Sequence, residues 1–229
     1  MSHLAARLSL VREQITAACA RVGRKPEEVK ILAVTKTHPP EVVTEAIACG
    51  VDAIGENRVQ ETLAKKPLVP LAAPWHLVGT LQRNKAKRAL ELFDLIATVD
   101  RIPLAQRLEA LLCAQGRSLP IMVEVNLGRE PQKGGCLPEA LDSLFAYILE
   151  QCPHLALQGL LTVPPYHPDP EASRPFFREL RLQAERLAAR YALPKLELSM
   201  GMSEDFLVAV EEGATWVRLG RVLFGERRR

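Results

Sequence analysis

Short apolar runs alternate regularly with amphipathic helical segments along this chain, and few folds are compatible with that pattern. Each apolar run is bounded by turn residues or by the start of a helical pattern. Runs that are apolar along their length are typical of a parallel sheet whose faces are covered by helices. The sequence therefore predicts eight strands, at residues 30–36, 52–56, 75–80, 94–100, 120–127, 155–163, 196–199 and 215–220.

Helices are predicted from periodicity and from their end signals. The first helix carries an apolar stripe from Leu4 to Ala18 at steps of three and four residues. Pro39 and Pro40 open the second helix, and Gly50 follows its end. Ser203 is predicted to cap the last helix. The remaining helices are predicted at residues 57–66, 82–92, 102–115, 138–150, 171–191 and 203–212.

Eight strand-helix units in 229 residues predict one closed (β/α)₈ TIM barrel of class α/β. The length leaves little room for a second domain, so residues 1–229 are expected to form a single domain. A doubly wound open sheet is the competing architecture, and the number of units favours the barrel.

Composition and charge exclude several classes of protein. A net charge of +3 and 5% aromatic residues give no reason to expect nucleic acid or an acidic membrane as a partner. No run of 18 apolar residues occurs, and arginines interrupt the apolar residues of the N-terminal segment, so neither a membrane span nor a leader is expected. Five widely spaced cysteines and scattered histidines predict no disulfide framework and no metal site. We therefore expect a cytoplasmic protein.

Lys36 is the most informative candidate for chemistry. Functional side chains of such barrels stand at the carboxyl ends of strands, and Lys36 ends the first predicted strand beside apolar residues. Desolvation there disfavours the ammonium form, which makes the amine a nucleophile able to form a Schiff base with an aldehyde. A lysine that extends to solvent is the alternative.

Two glycine-containing segments point to a phosphate group. Residues 199–203 lie between the seventh strand and a helix, and residues 218–221 end the eighth strand. Loops after these two strands commonly hold phosphate in this fold, and glycine allows close backbone approach. A reactive lysine opposite a phosphate site describes a pocket for a phosphorylated aldehyde, with pyridoxal 5′-phosphate (PLP) as the first candidate.

Strand parity adds a role for Arg218. If Lys36 and Arg218 both point inward, the guanidinium reaches the pyridine nitrogen of such a cofactor and keeps it unprotonated. A ring in that state is a weaker electron sink. The alternative partner for Arg218 is Glu124, which has inward parity on the fifth strand.

Seven segments resemble the pyridoxal phosphate homeostasis proteins, also called proline synthase co-transcribed homologue proteins. They occur in family order along nearly the whole chain: AVTKT (33–37), GENRVQE (55–61), WHLVGTLQRNK (75–85), VEVN (123–126) with EPQKGG (130–135), GLLTVPP (159–165), LSMGMSEDF (198–206) and VRLGRVLFG (217–225). The resemblance implies an alanine-racemase-like barrel without the second domain of the racemase. It also implies PLP held by Lys36 as an internal aldimine.

The same resemblance implies the other cofactor-binding residues. Arg218 matches the family arginine near the pyridine ring, and Asn57 and His76 fall in family motifs around the pocket. Phosphate contacts are implied for Ser199, the backbone of Met200 and Gly201, Gly220 and Arg221. Position 221 departs from the family, which usually has a small hydroxyl residue there. The arginine keeps the backbone N–H but removes a hydroxyl donor.

We therefore predict a non-catalytic PLP carrier or regulator that acts in vitamin B6 homeostasis and is linked to amino-acid metabolism. It is expected to be a monomer, with apo-PLP enzymes as candidate transient recipients of the cofactor. An active fold-type III racemase or decarboxylase is the alternative, which needs a second acid or base opposite the lysine; Tyr166 is the only tyrosine near the predicted rim. A Schiff-base aldolase without cofactor is a third hypothesis.

Overall fold

The eight strands form one closed parallel barrel. The computed structural model describes residues 2–225. Neighbouring strands pair in sequence order, and β1 closes the barrel by pairing with both β2 and β8. The predicted barrel is therefore confirmed over the open sheet. The strands are β1 (Lys30–Val34), β2 (Ala53–Glu56), β3 (Trp75–Leu77), β4 (Leu95–Val99), β5 (Leu119–Glu124), β6 (Leu155–Leu161), β7 (Glu197–Ser199) and β8 (Trp216–Leu219).

Helices surround the barrel. Ser2 caps the first, because its hydroxyl accepts a hydrogen bond from the Ala5 amide at 3.2 Å. Proline in the first turn starts α2, α5 and α6, where its missing N–H costs nothing. The helices are α1 (His3–Arg21), α2 (Pro40–Ala48), α3 (Val59–Lys65), α4 (Ala86–Leu92), α5 (Ile102–Cys113), α6 (Pro138–Gln151), α7 (Arg174–Arg190), α8 (Phe206–Glu211) and α9 (Arg221–Phe224).

Several predicted element ends differ from the structure, and two of these differences lie near the carboxyl ends of β7 and β8. The helix expected from residue 203 begins at Phe206, and Ser203 is not its cap. The Ser203 hydroxyl instead accepts a hydrogen bond from the Val222 amide at 3.2 Å. The last strand stops at Leu219, and Arg221 starts the short α9, which the periodicity did not predict. Both differences concern the segments where the phosphate site is expected.

The apolar core has two parts. The larger part lies between the outer faces of the strands and the helices. A smaller part fills the barrel interior and consists of Leu32, Ala53, Leu95, Ala97, Met122, Leu161 and Trp216. Such packing closes the middle of the barrel, so a ligand has access only at its ends. Within the described residues, no helix combines the length and apolar character needed to cross a membrane.

Candidate functional site

A cavity of about 320 Å³ opens at the carboxyl ends of the strands. Its volume lies at the lower end of the range of roughly 300–1,000 Å³ for small-ligand sites. Apolar side chains form part of its wall, and a lysine, two arginines, an amide and a carboxylate supply polar groups. The lining residues are Val34, Lys36, Asn57, Val78, Val163, Tyr166, Met202, Ser203, Glu204, Arg218, Gly220 and Arg221.

Lys36 lies in the turn that follows β1 rather than in the strand itself. Thr35 is fully buried after the end of β1, and the His38 amide donates to the Thr35 carbonyl at 3.0 Å to close the turn. Lys36 is half-buried and lines the cavity beside Val34. The strand therefore ends two residues earlier than predicted, and the turn brings the lysine to the cavity wall.

Asn57 is held at the cavity by a close approach of two strand ends. It directly follows β2, and Gly79 follows β3. A Cβ atom on Gly79 would lie 2.2 Å from the Asn57 carbonyl oxygen, so only glycine permits this contact. The Thr98 hydroxyl donates to the Gly79 carbonyl at 2.9 Å and fixes the glycine from β4.

Arg218 is 5% exposed and reaches into the barrel mouth from β8. Its Nη1 donates to the Ser199 hydroxyl at 3.0 Å, and its Nη2 donates to the Thr162 carbonyl at 2.8 Å. The predicted alternative partner, Glu124, receives neither of these bonds. Burial lowers the pKa of Arg218 to about 10, partly offset by the negative charges of Asp205 and Glu124. The guanidinium therefore stays charged at neutral pH.

Three residues predicted to touch phosphate lie beneath the cavity wall. The Ser199 hydroxyl is engaged with Arg218, and the Met200 amide donates to the Trp216 carbonyl at 3.1 Å. Gly201 has φ of +89°, and a Cβ there would lie 2.5 Å from the Ala209 Cβ. The Gly201 carbonyl accepts from the Arg218 amide at 2.9 Å. Residues 199–201 therefore form a layer that supports the end of β8, which carries Arg218. Direct contacts of these three residues with phosphate stay a prediction.

His76 also lies away from the cavity. It is 7% exposed, and its ring packs edge-on against Trp216 with ring centroids 4.8 Å apart. Burial lowers its pKa to about 4, although Asp94 and Glu197 raise it, so the imidazole is neutral at physiological pH. Its contact with a cofactor stays a prediction.

The opposite rim of the cavity is formed by Ser203, Glu204, Gly220 and Arg221. The Leu223 and Phe224 amides donate to the Gly220 carbonyl, and the Val222 amide donates to the Ser203 hydroxyl. The Arg221 guanidinium forms an ion pair with Glu204, and the two side chains are 49% and 36% exposed. Arg221 is therefore held over the rim by a carboxylate, an arrangement that sequence reasoning missed because the partners are 17 positions apart.

Sequence analysis also did not predict the apolar wall of the cavity, although the sequence contains a signal for it. Val78 and Val163 each follow the buried part of a strand, in motifs that carry the family resemblance. Barrel closure brings both next to Val34 at one cavity. Tyr166 lies at the rim as predicted and is 76% exposed.

Glu124 is an unsatisfied carboxyl group at the end of β5. It is 7% exposed, and its Oε2 has no hydrogen-bond partner among the described residues. Burial raises its pKa to about 7, the Asp100 charge adds to that rise, and Arg218 opposes it. Below this pH the group is a neutral acid.

Glu124 should make stability fall as pH rises. Its folded-state pKa of about 7 exceeds the ordinary 4.5, so between these values the folded state binds more protons than the unfolded state. The difference in unfolding free energy between wild type and Glu124→Gln should drop by about 3 kcal/mol from pH 4.5 to pH 8. Urea unfolding at four pH values measures it. Glu150→Gln, on the exposed side of α6, controls for the loss of one carboxylate. A constant difference across this range would contradict the prediction.

A larger cavity, of about 470 Å³, lies near the amino ends of β7 and β8. Its cations are already paired: Arg24 contacts Glu28, Arg181 contacts Glu185 and Glu212, and Lys195 contacts Glu28. Functional groups of this fold stand at the other end of the barrel. We therefore take the smaller cavity as the candidate site.

Known proteins resemble this chain over nearly its full length. Residues 7–228 match the family described as alanine racemase, N-terminal domain. The chain is 46% identical over 223 residues to a protein of Aquifex aeolicus named pyridoxal phosphate homeostasis protein, with 97% of each chain covered. It is 38% identical to a protein of the same name from Escherichia coli, with 99% of this chain and 98% of the relative covered.

Solved structures resemble it in the same way. PipY of Synechococcus elongatus, solved with PLP bound, is 36% identical with a TM-score of 0.83, and the match covers 97% of this chain and 100% of that one. An alanine racemase of Clostridium difficile is 14% identical with a TM-score of 0.75, and the match covers 60% of its chain. The racemase shares the barrel fold.

Proposed function

Because this chain belongs to the family of the pyridoxal phosphate homeostasis proteins, we propose that it binds PLP in the cavity at the carboxyl end of the barrel. Its role is to help balance the cellular supply of that cofactor as a carrier or regulator. The observation that carries the proposal is a single cavity that joins a lysine on the β1 side to an arginine and glycine rim on the β8 side.

The residues of the cavity fit the chemistry of this cofactor. Bound PLP supplies an aldehyde, which condenses with a primary amine and releases water. Lys36 is the amine, and Val34, Val78 and Val163 offer apolar walls for a flat ring. Arg218 lines the same cavity and carries a positive charge at neutral pH.

The phosphate side has a separate set of groups. Gly220 and Arg221 bring backbone to the rim without a bulky side chain at residue 220, and Ser203 and the Arg221 guanidinium add polar donors. Asn57 completes the wall near Lys36. We assign Ser199, Met200 and Gly201 to the layer that supports Arg218, and His76 to the packing of the barrel interior.

The carrier role is favoured over racemase chemistry by the state of Tyr166. A racemase needs a second acid or base held at a fixed position opposite the lysine. Tyr166 is 76% exposed, and no hydrogen bond among the described residues holds its hydroxyl. A hydroxyl that is exposed and held by no hydrogen bond is poorly placed for proton transfer.

An absorption spectrum of the purified protein with added PLP tests the proposal. Uptake of one cofactor with a visible band is expected, whereas an aldolase that needs no cofactor gives none. Mixing the loaded protein with an apo-PLP enzyme then measures transfer, and sedimentation velocity tests the expected monomer. Screening D- and L-amino acids tests the alternative, because turnover of roughly 1 per second or more would overturn the carrier role.

Arg221 should strengthen cofactor binding by neutralising Glu204 beside the phosphate. Arg221→Thr restores the small hydroxyl residue but leaves the Glu204 carboxylate facing an anion. PLP affinity should then fall about tenfold, because a charge-assisted contact at a half-exposed site is worth roughly 1.5 kcal/mol. The double variant Arg221→Thr with Glu204→Gln should recover most of that loss. Equilibrium titration with PLP measures each affinity.

The salt dependence of PLP affinity distinguishes an Arg221 that acts on the phosphate site from one that only points to solvent. The affinity of the wild type should weaken with ionic strength more steeply than that of Arg221→Thr, because in that variant salt also screens the repulsion between the phosphate and the unpaired Glu204 carboxylate. Titrations at two salt concentrations compare the slopes. Equal slopes in all variants would show that the guanidinium takes no part in holding phosphate.

A further inference from the structure

A buried charged cluster lies behind the turn that carries Lys36, outside the cavity. Lys65, from α3, is 6% exposed, and Glu56, at the end of β2, is fully buried. The Lys65 Nζ donates to Glu56 Oε1 at 2.7 Å, to Glu61 Oε1 at 2.8 Å and to the Thr35 carbonyl at 2.9 Å. These three bonds use every donor of the ammonium group.

The same cluster holds the backbone on both sides of Lys36. Before it, the Thr35 hydroxyl donates to Glu56 Oε1 at 2.7 Å, and the Thr35 carbonyl accepts from Lys65. After it, the Thr37 amide donates to Glu61 Oε1 at 2.5 Å. One ammonium and two carboxylates therefore fix the residues that flank the cofactor-binding lysine, without lining the cavity themselves.

The turn needs such a restraint. Thr37 has φ of +68°, in the left-handed region that β-branched residues rarely adopt. A conformation of this kind persists only where surrounding contacts hold it, and such residues gather at functional sites. The Glu61 bond to the Thr37 amide is the contact that holds it here.

Stability alone is a poor explanation for the cluster. Removing charges from water costs free energy that a buried ion pair often fails to recover, and apolar residues of similar size frequently do as well. Glu56 Oε2 also has no hydrogen-bond partner among the described residues. Unlike apolar side chains, these charged groups form directional hydrogen bonds with the backbone beside Lys36.

We propose that Lys65, through Glu56 and Glu61, is the positioning residue of the cofactor-binding lysine. It locks the Thr35–Thr37 turn so that the Lys36 amine faces the cavity before the cofactor arrives. This inference rests on the proposed function, because it assigns Lys36 to PLP. A preorganised amine avoids the loss of conformational freedom at the moment of binding, so the lock raises affinity.

Two sets of variants test the lock. Lys65→Met combined with Glu56→Gln removes the buried ammonium together with its fully buried carboxylate partner, and the remaining Glu61 carboxylate is 25% exposed. Glu61→Leu removes the acceptor of the Thr37 amide, while Glu61→Gln keeps an oxygen there and is the conservative control. Arg24→Met is the control for stability: Arg24 donates to the Val210 and Ala214 carbonyls at the far end of the barrel and is 13% exposed.

Three measurements follow: hydrogen exchange of the Thr37 amide by NMR in the cofactor-free protein, PLP affinity by titration, and the visible band of the bound cofactor. Lys65→Met/Glu56→Gln and Glu61→Leu should each speed Thr37 exchange at least tenfold and weaken PLP affinity about tenfold, with a reduced band. Glu61→Gln and Arg24→Met should leave all three near wild type.

The outcomes are distinct. If the Lys65 and Glu61→Leu variants lose stability but match Arg24→Met in exchange, affinity and spectrum, the cluster is merely structural and the proposal is wrong. If the doubly substituted protein does not fold, the comparison of Glu61→Leu with Glu61→Gln in the same three measurements tests the proposal. If the wild type takes up no PLP, the proposed function fails, whereas Thr37 exchange still reports whether the cluster locks the turn.

Discussion

Lys36→Ala is expected to abolish covalent attachment of PLP. Borohydride reduction of the wild type should fix roughly one cofactor per chain on the peptide that contains Lys36, because only a primary amine forms a reducible link with the aldehyde. The variant should retain none. Peptide mass spectrometry after reduction measures the adduct, and the absorption spectrum should lose the band of the bound form.

Lys30→Ala is the matched control for this loss. Lys30 starts β1, at the opposite end of the barrel from the turn that carries Lys36, and it pairs with Glu197 at 3.1 Å and is 45% exposed. It should keep the wild-type adduct. A reduced adduct that stays at full yield in Lys36→Ala, on any other lysine, would contradict the assignment of Lys36.

Arg218→Leu is expected to lower the free energy of unfolding by about 3–5 kcal/mol at pH 8, before any cofactor is added. The change removes the donor to the Thr162 carbonyl and the Ser199 hydroxyl, and it leaves the buried Glu124 without its nearby positive charge. Removing one partner from a buried charged network carries a cost of this size. Urea unfolding with an unchanged m-value measures the loss.

An exposed arginine provides the comparison. Arg88 pairs with Glu91 on the surface of α4, with side chains 56% and 42% exposed, so Arg88→Leu should change stability by less than about 1 kcal/mol. If Arg218→Leu lowered the free energy of unfolding by as little as Arg88→Leu, the Arg218 guanidinium would not be what supports the barrel mouth. A further expectation is that Arg218→Leu changes the spectrum of bound PLP, as predicted for a charge beside the pyridine ring.

The alternation of strands and helices was sufficient to predict the barrel. It is a local property, because a strand buried on both faces must be apolar along its length and a helix on a sheet must be apolar on one side. The ends of elements were less predictable. The strand predicted to include Lys36 stops at Val34. The Thr35 amide still donates to the Gly55 carbonyl of β2, but the Thr35 carbonyl accepts from Lys65 and from the His38 amide, and a turn begins there.

Part of the site was also predictable, for the same reason. Strand ends meet at one edge of a barrel, so Lys36, Asn57, Arg218, Gly220 and Arg221 were expected to lie together, and all of them line the cavity. Whether the Met200 amide is free to contact phosphate could not be predicted in this way. Whether an amide is free depends on its partner across the sheet, and the Met200 amide is used by Trp216.

The barrel, the strand ends that bear functional groups and the family of the protein could thus be predicted from periodicity and from motifs within short segments. Which of these groups already have hydrogen-bond or ion-pair partners became visible in the folded chain. Glu204 holds Arg221, Ser199 holds Arg218, and Lys65 holds the turn around Lys36. Each of these pairs joins positions at least 17 residues apart, and burial and direction of approach, which no local pattern encodes, select the partner.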